Sequence, residues 1–311
     1  MAFIWGLFWR RGRFLLVLAA IAIQVGCATP AGQPTISSSS AHTEDNASFF
    51  ANAPDGQRIA YTILGHGEIT VVLAHCWGCT SALWVDTASR LADSYRFVLV
   101  DLPGHGRSTA TRRAWTVEAY ARDLAAVVDA VGGEPVILVG HSMSGRIVTE
   151  AASSTLRGRA RGVVLVDSMP DATHVAGERE RASVVPQLRA HFDRTVHELV
   201  SGLEPPHAQE TVARVSALIE RTDPGVASEV LDQNLAYPFL ERLQTLDVPL
   251  WSVNASITPT NEPANQRLVP NWHALVVPAT GHWLMLDAPA PFAAALDTAL
   301  SSIAIQSRKR K

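Results

Sequence analysis

Ile137-Leu138-Val139-Gly140-His141-Ser142-Met143-Ser144-Gly145 is the stretch on which the fold reading turns. A short run of Ile, Leu and Val leads into Gly-x-Ser-x-Ser, and a helical pattern begins at Ser144. A buried strand that bends sharply into a helix needs small residues on both sides of the bend. Gly140 and Ser144 supply them. Such a turn strains the backbone of Ser142 and presents its hydroxyl at the C-terminal edge of a sheet. Open α/β sheets bind ligands at that edge, and the helix N-terminus beneath it favours developing negative charge.

Working outward, continuous β-branched and Leu runs occur at 69–74, 96–100, 135–139, 162–166, 249–253 and 274–277. They do not alternate apolar with polar, which is the pattern of strands covered on both faces. Helical spacing occupies 81–92, 116–131, 144–153 and 291–303. The alternation predicts a doubly wound, mostly parallel α/β sheet with right-handed crossovers. Ahead of it, Phe49-Phe50-Ala51-Asn52 and Ile59-Ala60-Tyr61-Thr62-Ile63 flank Pro54-Asp55-Gly56 and predict a hairpin. From Asp171 to Leu246 no strand pattern occurs. That interval reads as a helical cap, broken at Pro186, Pro205-Pro206 and Pro224-Gly225. The expected organisation is a core of 48–170 and 247–305, a cap of 171–246 and a basic tail of 306–311.

Four blocks, in order, resemble the α/β-hydrolase superfamily of serine hydrolases, over about Phe49 to Ile303. His75-Cys76-Trp77-Gly78-Cys79 resembles the family's oxyanion loop, with Cys76 where Gly is usual. Asp101-Leu102-Pro103-Gly104-His105-Gly106-Arg107-Ser108 resembles the loop after the next strand. Gly140 to Ser144 resembles the nucleophile elbow, and Gly281-His282-Trp283 the loop of the catalytic histidine. The resemblance implies an α/β-hydrolase fold with a helical cap. It implies a carboxylesterase- or lipase-like enzyme that cleaves a carboxylic ester through an acyl-enzyme, without metal or organic cofactor.

Serine needs an adjacent base to act as a nucleophile. Of eleven histidines, His282 has the expected context after the last strand. His75, His105 and His141 lie in shared loops and read as supporting residues. Backbone N–H groups of Met143 and, by resemblance, Trp77 are the expected oxyanion donors. The acid departs from the family: the loop from Asn254 to Glu262 contains no Asp. Asp167, at the end of the 162–166 run, is the expected partner of His282. Glu262 is the second choice, and Asp101 reads as structural. The same residues also suit an acyltransferase. A non-catalytic ligand-binding homologue is the reading that the missing Asp would favour.

The chain has 311 residues, 47% hydrophobic and 18% charged, with a formal charge of -3. That supports a large packed core and excludes disorder over most of the length. Basic residues are scattered, so nucleic acid is not an expected partner. Arg10, Arg11 and Arg13 precede an apolar run from Phe14 to Val25 that ends at Gly26-Cys27-Ala28. This reads as an export signal over 1–27, too short for an ordinary membrane span. Gln24-Val25-Gly26-Cys27 resembles a bacterial lipoprotein box, departing from it at Gln24. Cys27 is then a lipidation site, the alternatives being an ordinary cleaved signal or an uncleaved anchor. Residues 28–47 are rich in Ser, Thr, Ala, Gly and Pro, and read as a flexible tether. The expected location is the periplasm or cell envelope, with membrane contact through that anchor or lipid. Cys76 and Cys79 read either as two small residues lining a tight loop or, in an oxidising compartment, as a disulfide. No second ligand pair suits zinc.

Overall fold

The apolar runs are strands of one eight-stranded sheet in the computed structural model, which describes residues 48–133 and 135–309. The expected export signal, Cys27 and the expected tether of 28–47 lie outside the described residues. Among those described, no helix is long and apolar enough to cross a membrane.

The strands are β1 (Ser48–Asn52), β2 (Arg58–Leu64), β3 (Ile69–Ala74), β4 (Tyr95–Val100), β5 (Val136–His141), β6 (Ala160–Val166), β7 (Leu250–Ala255) and β8 (Trp272–Val277). Their order is β1-β2-β4-β3-β5-β6-β7-β8. The β1–β2 hairpin pairs Ser48 with Thr62 and Asn52 with Arg58. With its β2–β4 junction it forms the antiparallel end, and all pairings from β4 to β8 are parallel. Nearly every residue of β3, β5 and β6 is buried, as continuous apolar runs require. β3 pairs with both β4 and β5, so chain connections diverge on either side of it. The loops after β3 and β5 therefore open a crevice at the C-terminal edge of the sheet.

The covering helices are α1 (Val85–Arg90), α2 (Val117–Ala130), α3 (Ser144–Ser153), then α4 (Glu178–Ala190), α5 (Phe192–Gly202), α6 (Gln209–Ile219), α7 (Pro224–Ala236) and α8 (Phe239–Gln244). They are followed by α9 (Glu262–Leu268), α10 (Leu284–Asp287) and α11 (Pro289–Lys309). Helices α4 to α8 fill the interval between β6 and β7, where no strand pattern occurred. Hydrogen bonds tie them to the core, among them three from the helices α7 and α8 or their edges. Trp77 Nε1 donates to the Ala227 carbonyl at 2.8 Å, Asn234 Nδ2 to the Met143 carbonyl at 3.1 Å, and the Tyr237 hydroxyl to Glu150 at 2.5 Å.

Three expectations need correction. Pro186 lies inside α4 instead of breaking it. A mid-helix proline loses one backbone hydrogen bond and costs about 3 kcal/mol, but Val184, Val185 and Leu188 beside it are buried and hold the helix in place. The 81–92 helix is a 3-10 turn, Ser81–Trp84, followed by the short α1. The last helix continues to Lys309, beyond the expected end of the core at 305.

Candidate active site

Strand β5 ends at His141 and α3 begins at Ser144, so two residues make the whole turn. Ser142 has φ 55°, in the left-handed region. The Ser142 N–H donates to the Val166 carbonyl at 2.9 Å, and the Ser142 carbonyl accepts from Gly145 N–H at 2.9 Å. A Cβ at position 140 would lie 2.3 Å from the Ser144 carbonyl oxygen, so only glycine fits there. The Ser144 hydroxyl donates to the His75 carbonyl and ties the elbow to the loop after β3. Among the described residues the only other non-glycine positive φ values belong to Asp167 (45°) and Ala279 (58°). Each such backbone costs about 1–3 kcal/mol and persists only where its surroundings enforce it. All three lie in the loops after β5, β6 and β8, at one edge of the sheet.

His282 sits in the loop between β8 and α10, and its Nδ1 is 2.6 Å from Asp167 Oδ2. The other carboxylate oxygen, Oδ1, accepts the Ala255 N–H at 3.0 Å. Strand β7 thus supports the carboxylate with its backbone, although the loop after it carries no Asp. Asp167 and His282 are both buried. A Nδ1–H donated to the carboxylate leaves the lone pair on Nε2, the form a general base needs. Glu262 is exposed at the start of α9 and accepts from Gln266, so the structure does not bring it to His282. Asp101 is buried and accepts from the Ser81 N–H and from Arg107.

The loop after β3 carries a disulfide between Cys76 and Cys79, which replaces the reading of two free small residues. His75 Nδ1 donates to the Cys76 carbonyl at 2.8 Å while its Nε2 accepts from Leu102 N–H at 3.0 Å. His105 Nε2 accepts the Gly78 N–H at 3.1 Å, and burial pushes that histidine down to about 3, so it stays neutral and able to accept. His141 Nε2 donates to the His282 carbonyl at 2.9 Å. The backbone N–H groups of Trp77 and Met143 have no protein acceptor among the described residues, and both residues line the same cavity as Ser142 and His282.

Three successive N–H groups of the His282 loop are each held. Asp287 Oδ2 accepts from Gly281 at 2.7 Å, the Leu203 carbonyl from His282 at 3.0 Å, and Glu204 Oε1 from Trp283 at 3.1 Å. Two of these acceptors, Leu203 and Glu204, come from the segment between α5 and α6. A Cβ at position 281 would lie 2.2 Å from Glu204 Oε2, so any larger residue there would have to displace the Glu204 carboxylate. Burial, then the facing carboxylates of Asp287 and Asp167, push Glu204 up to about 8, against the Trp283 hydrogen bond. Its Oε2 has no hydrogen-bond partner among the described residues, and the facing Asp287 carboxylate favours the protonated, uncharged form. The folded state therefore keeps a proton that the unfolded chain releases above its ordinary value of 4.5. Stability falls as pH rises from there to about 8 and then levels. Glu204→Gln mimics the protonated form and should not carry this loss. Thermal melts of both proteins across that window should show the variant gaining relative to the parent as pH rises. A constant difference between them would show that Glu204 does not titrate there. Nothing in the sequence pattern marks Glu204, because its partners are backbone groups and one carboxylate from another part of the chain.

The cavity at this edge has a volume of about 350 Å³ and lies between the sheet edge and helices α4 to α7. Residues 71–295 match the model of the alpha/beta hydrolase family. The chain belongs to that family. A pimeloyl-[acyl-carrier protein] methyl ester esterase of Edwardsiella ictaluri is 29% identical over 250 residues, 75% of this chain and 93% of that protein. Among solved structures, an esterase from a Rhodococcus species superimposes with a TM-score of 0.69 at 25% identity, covering 82% of this chain and 99% of that one. An esterase from Thermogutta terrifontis shares the fold, with a TM-score of 0.72 at 22% identity over 83% of this chain and 99% of that one.

Proposed function

We propose that this protein is a serine hydrolase of carboxylic esters, working through an acyl-enzyme. The observation that carries the reading is the His282 Nδ1–Asp167 Oδ2 contact of 2.6 Å beside a cavity that Ser142 also lines. His282 Nε2 takes the proton of Ser142 as Oγ attacks the ester carbonyl. Asp167 stabilises the imidazolium that results. The N–H groups of Met143 and Trp77 receive the oxyanion. His282 returns the proton to the leaving alcohol. Water activated by the same nitrogen then attacks the acyl-enzyme and releases the acid. The esterase names of the relatives support ester bonds as the target. The carboxylate against His282 favours catalysis over a binding-only role.

The test is a panel of nitrophenyl esters of increasing acyl length, assayed before and after treatment with a fluorophosphonate. Hydrolysis that stops on treatment supports the reading. Hydrolysis that survives it rules out a serine nucleophile.

The proposal extends to location. Disulfides persist in oxidising compartments, so the Cys76–Cys79 bond supports export. Cys27 is the proposed lipidation site. Expressed in a bacterium with its leader, the chain should partition with membranes, and Cys27→Ser should be released or left uncleaved. A soluble, lipid-free mature chain by intact mass would contradict lipidation.

A further inference from the structure

Helix α3 also sends a residue to the cavity. Arg146 lies in the first turn of α3, just beyond the elbow that carries Ser142. Arg146 is 6% exposed and lines the cavity. Its guanidinium lies 4.9 Å from the ring centre of Phe239, and Nη2 donates to the Ala176 carbonyl at 2.7 Å. Nε is buried without a partner, and among the described residues no carboxylate pairs with this cation. Burial lowers its affinity for the proton, to about 10, yet it stays charged at neutral pH.

The contrast with Arg112 is informative. That guanidinium is buried as well, and it is held by Asp123 at 2.6 Å and Asp55 at 3.1 Å. A buried cation without a counter-ion is unfavourable, and proteins ordinarily pair it. The acids on the cavity wall do not serve. Asp167 is taken by His282, and Asp171 by Thr173 and Asn261. Glu198 pairs with Arg194, and Glu180 accepts the Gly177 N–H. Tyr237 and Glu180 act on Arg146 electrostatically, and no ion pair forms between Glu180 and Arg146.

We infer that Arg146 is a carboxylate-binding subsite, and that the substrates are esters carrying one free carboxylate remote from the scissile bond, as in half-esters of dicarboxylic acids. The inference rests on the serine-hydrolase reading above. A planar guanidinium with free N–H groups matches a carboxylate, and displacing water from an already buried cation adds little desolvation cost on the protein side. A neutral ester of the same length fills the same space and leaves the cation unpaired, which is how a site rejects an analogue that lacks a partner group.

The experiment compares monomethyl esters of dicarboxylic acids, from succinic to suberic, with methyl esters of monocarboxylic acids of matching chain length. Acid release is followed at constant pH. At the best length the wild-type enzyme should favour the charged ester by at least about tenfold in kcat/KM, the value of one charged hydrogen-bonded contact. The preference should appear mainly in KM. In Arg146→Met the charged-to-neutral ratio should collapse, and Arg146→Lys should restore part of it. The free dicarboxylate should inhibit the wild type competitively and Arg146→Met far less. The wild-type comparison needs no variant, so it decides the matter even if Arg146→Met folds poorly. Equal or better use of the neutral ester by the wild type overturns the subsite. So does an Arg146→Met variant that loses both esters in proportion, because a purely structural arginine would behave that way. If no ester of either kind is cleaved and no fluorophosphonate is taken up, the hydrolase reading itself falls. If neutral esters are cleaved without preference, only the carboxylate subsite falls.

Discussion

Ser142→Ala is expected to lower kcat for ester hydrolysis by about 10⁶-fold and to abolish fluorophosphonate labelling, the scale of loss when a triad nucleophile is removed. The fold should survive. The Ser142 hydroxyl has no hydrogen-bond partner among the described residues, so its removal orphans nothing. The φ of 55° strains alanine about as much as serine, since both carry a Cβ. Gly140 and the Ser144–His75 tie, which shape the elbow, are untouched. Circular dichroism and a thermal melt close to the parent's should therefore accompany the dead enzyme. A variant that still hydrolyses esters at even a hundredth of the parent rate would show that another group attacks.

Asp167→Asn is the second large effect. The amide oxygen can keep the Ala255 N–H, and asparagine tolerates the φ of 45°. The other end of the side chain becomes an NH₂ donor facing Nδ1. His282 must then accept at Nδ1 and carry its proton on Nε2, where it can no longer take one from Ser142. In a triad of this type the corresponding change lowers kcat by about 10⁴-fold. KM should move little, because the carboxylate touches histidine and not the ester. Glu262→Gln serves as the control and should stay near the parent rate, since Glu262 is exposed and, among the described residues, its side chain accepts only from Gln266. If Glu262→Gln were the slow variant and Asp167→Asn the normal one, the acid would be misassigned.

The sheet was legible because its central strands are buried on both faces. Burial on both sides leaves a continuous apolar run, and the 69–74 run coincides with β3. The elbow was legible for a related reason: one residue on each side of Ser142 must be small, and that spacing survives in the letters. Helix α9 was not. It is seven residues long, starts on an Asn261 cap with proline in its first turn, and reads as loop. Pro186 misled for the opposite reason, because tertiary packing of Val184 and Leu188 outweighs a local breaker. The free cation at Arg146 and the acid pair Glu204–Asp287 were invisible. A buried charge is defined by what surrounds it in space: Ala176 and Phe239 lie far from Arg146 in the chain, and Trp283 and Asp287 far from Glu204. The disulfide was undecided from spacing alone, since Cys-x-x-Cys suits a loop of small residues equally well.

The most direct measurement is to map the site of a fluorophosphonate adduct on the wild-type protein. Trypsin should release residues 123–146, a peptide with two serines, Ser142 and Ser144. Fragment masses then separate them. Ser144 is fully buried with its hydroxyl committed to the His75 carbonyl, so the adduct should fall on Ser142 alone. It should form one to one, and ester hydrolysis should disappear in step with it. An adduct on Ser144 or elsewhere, or full hydrolysis by protein that takes up no label, would contradict a nucleophilic Ser142.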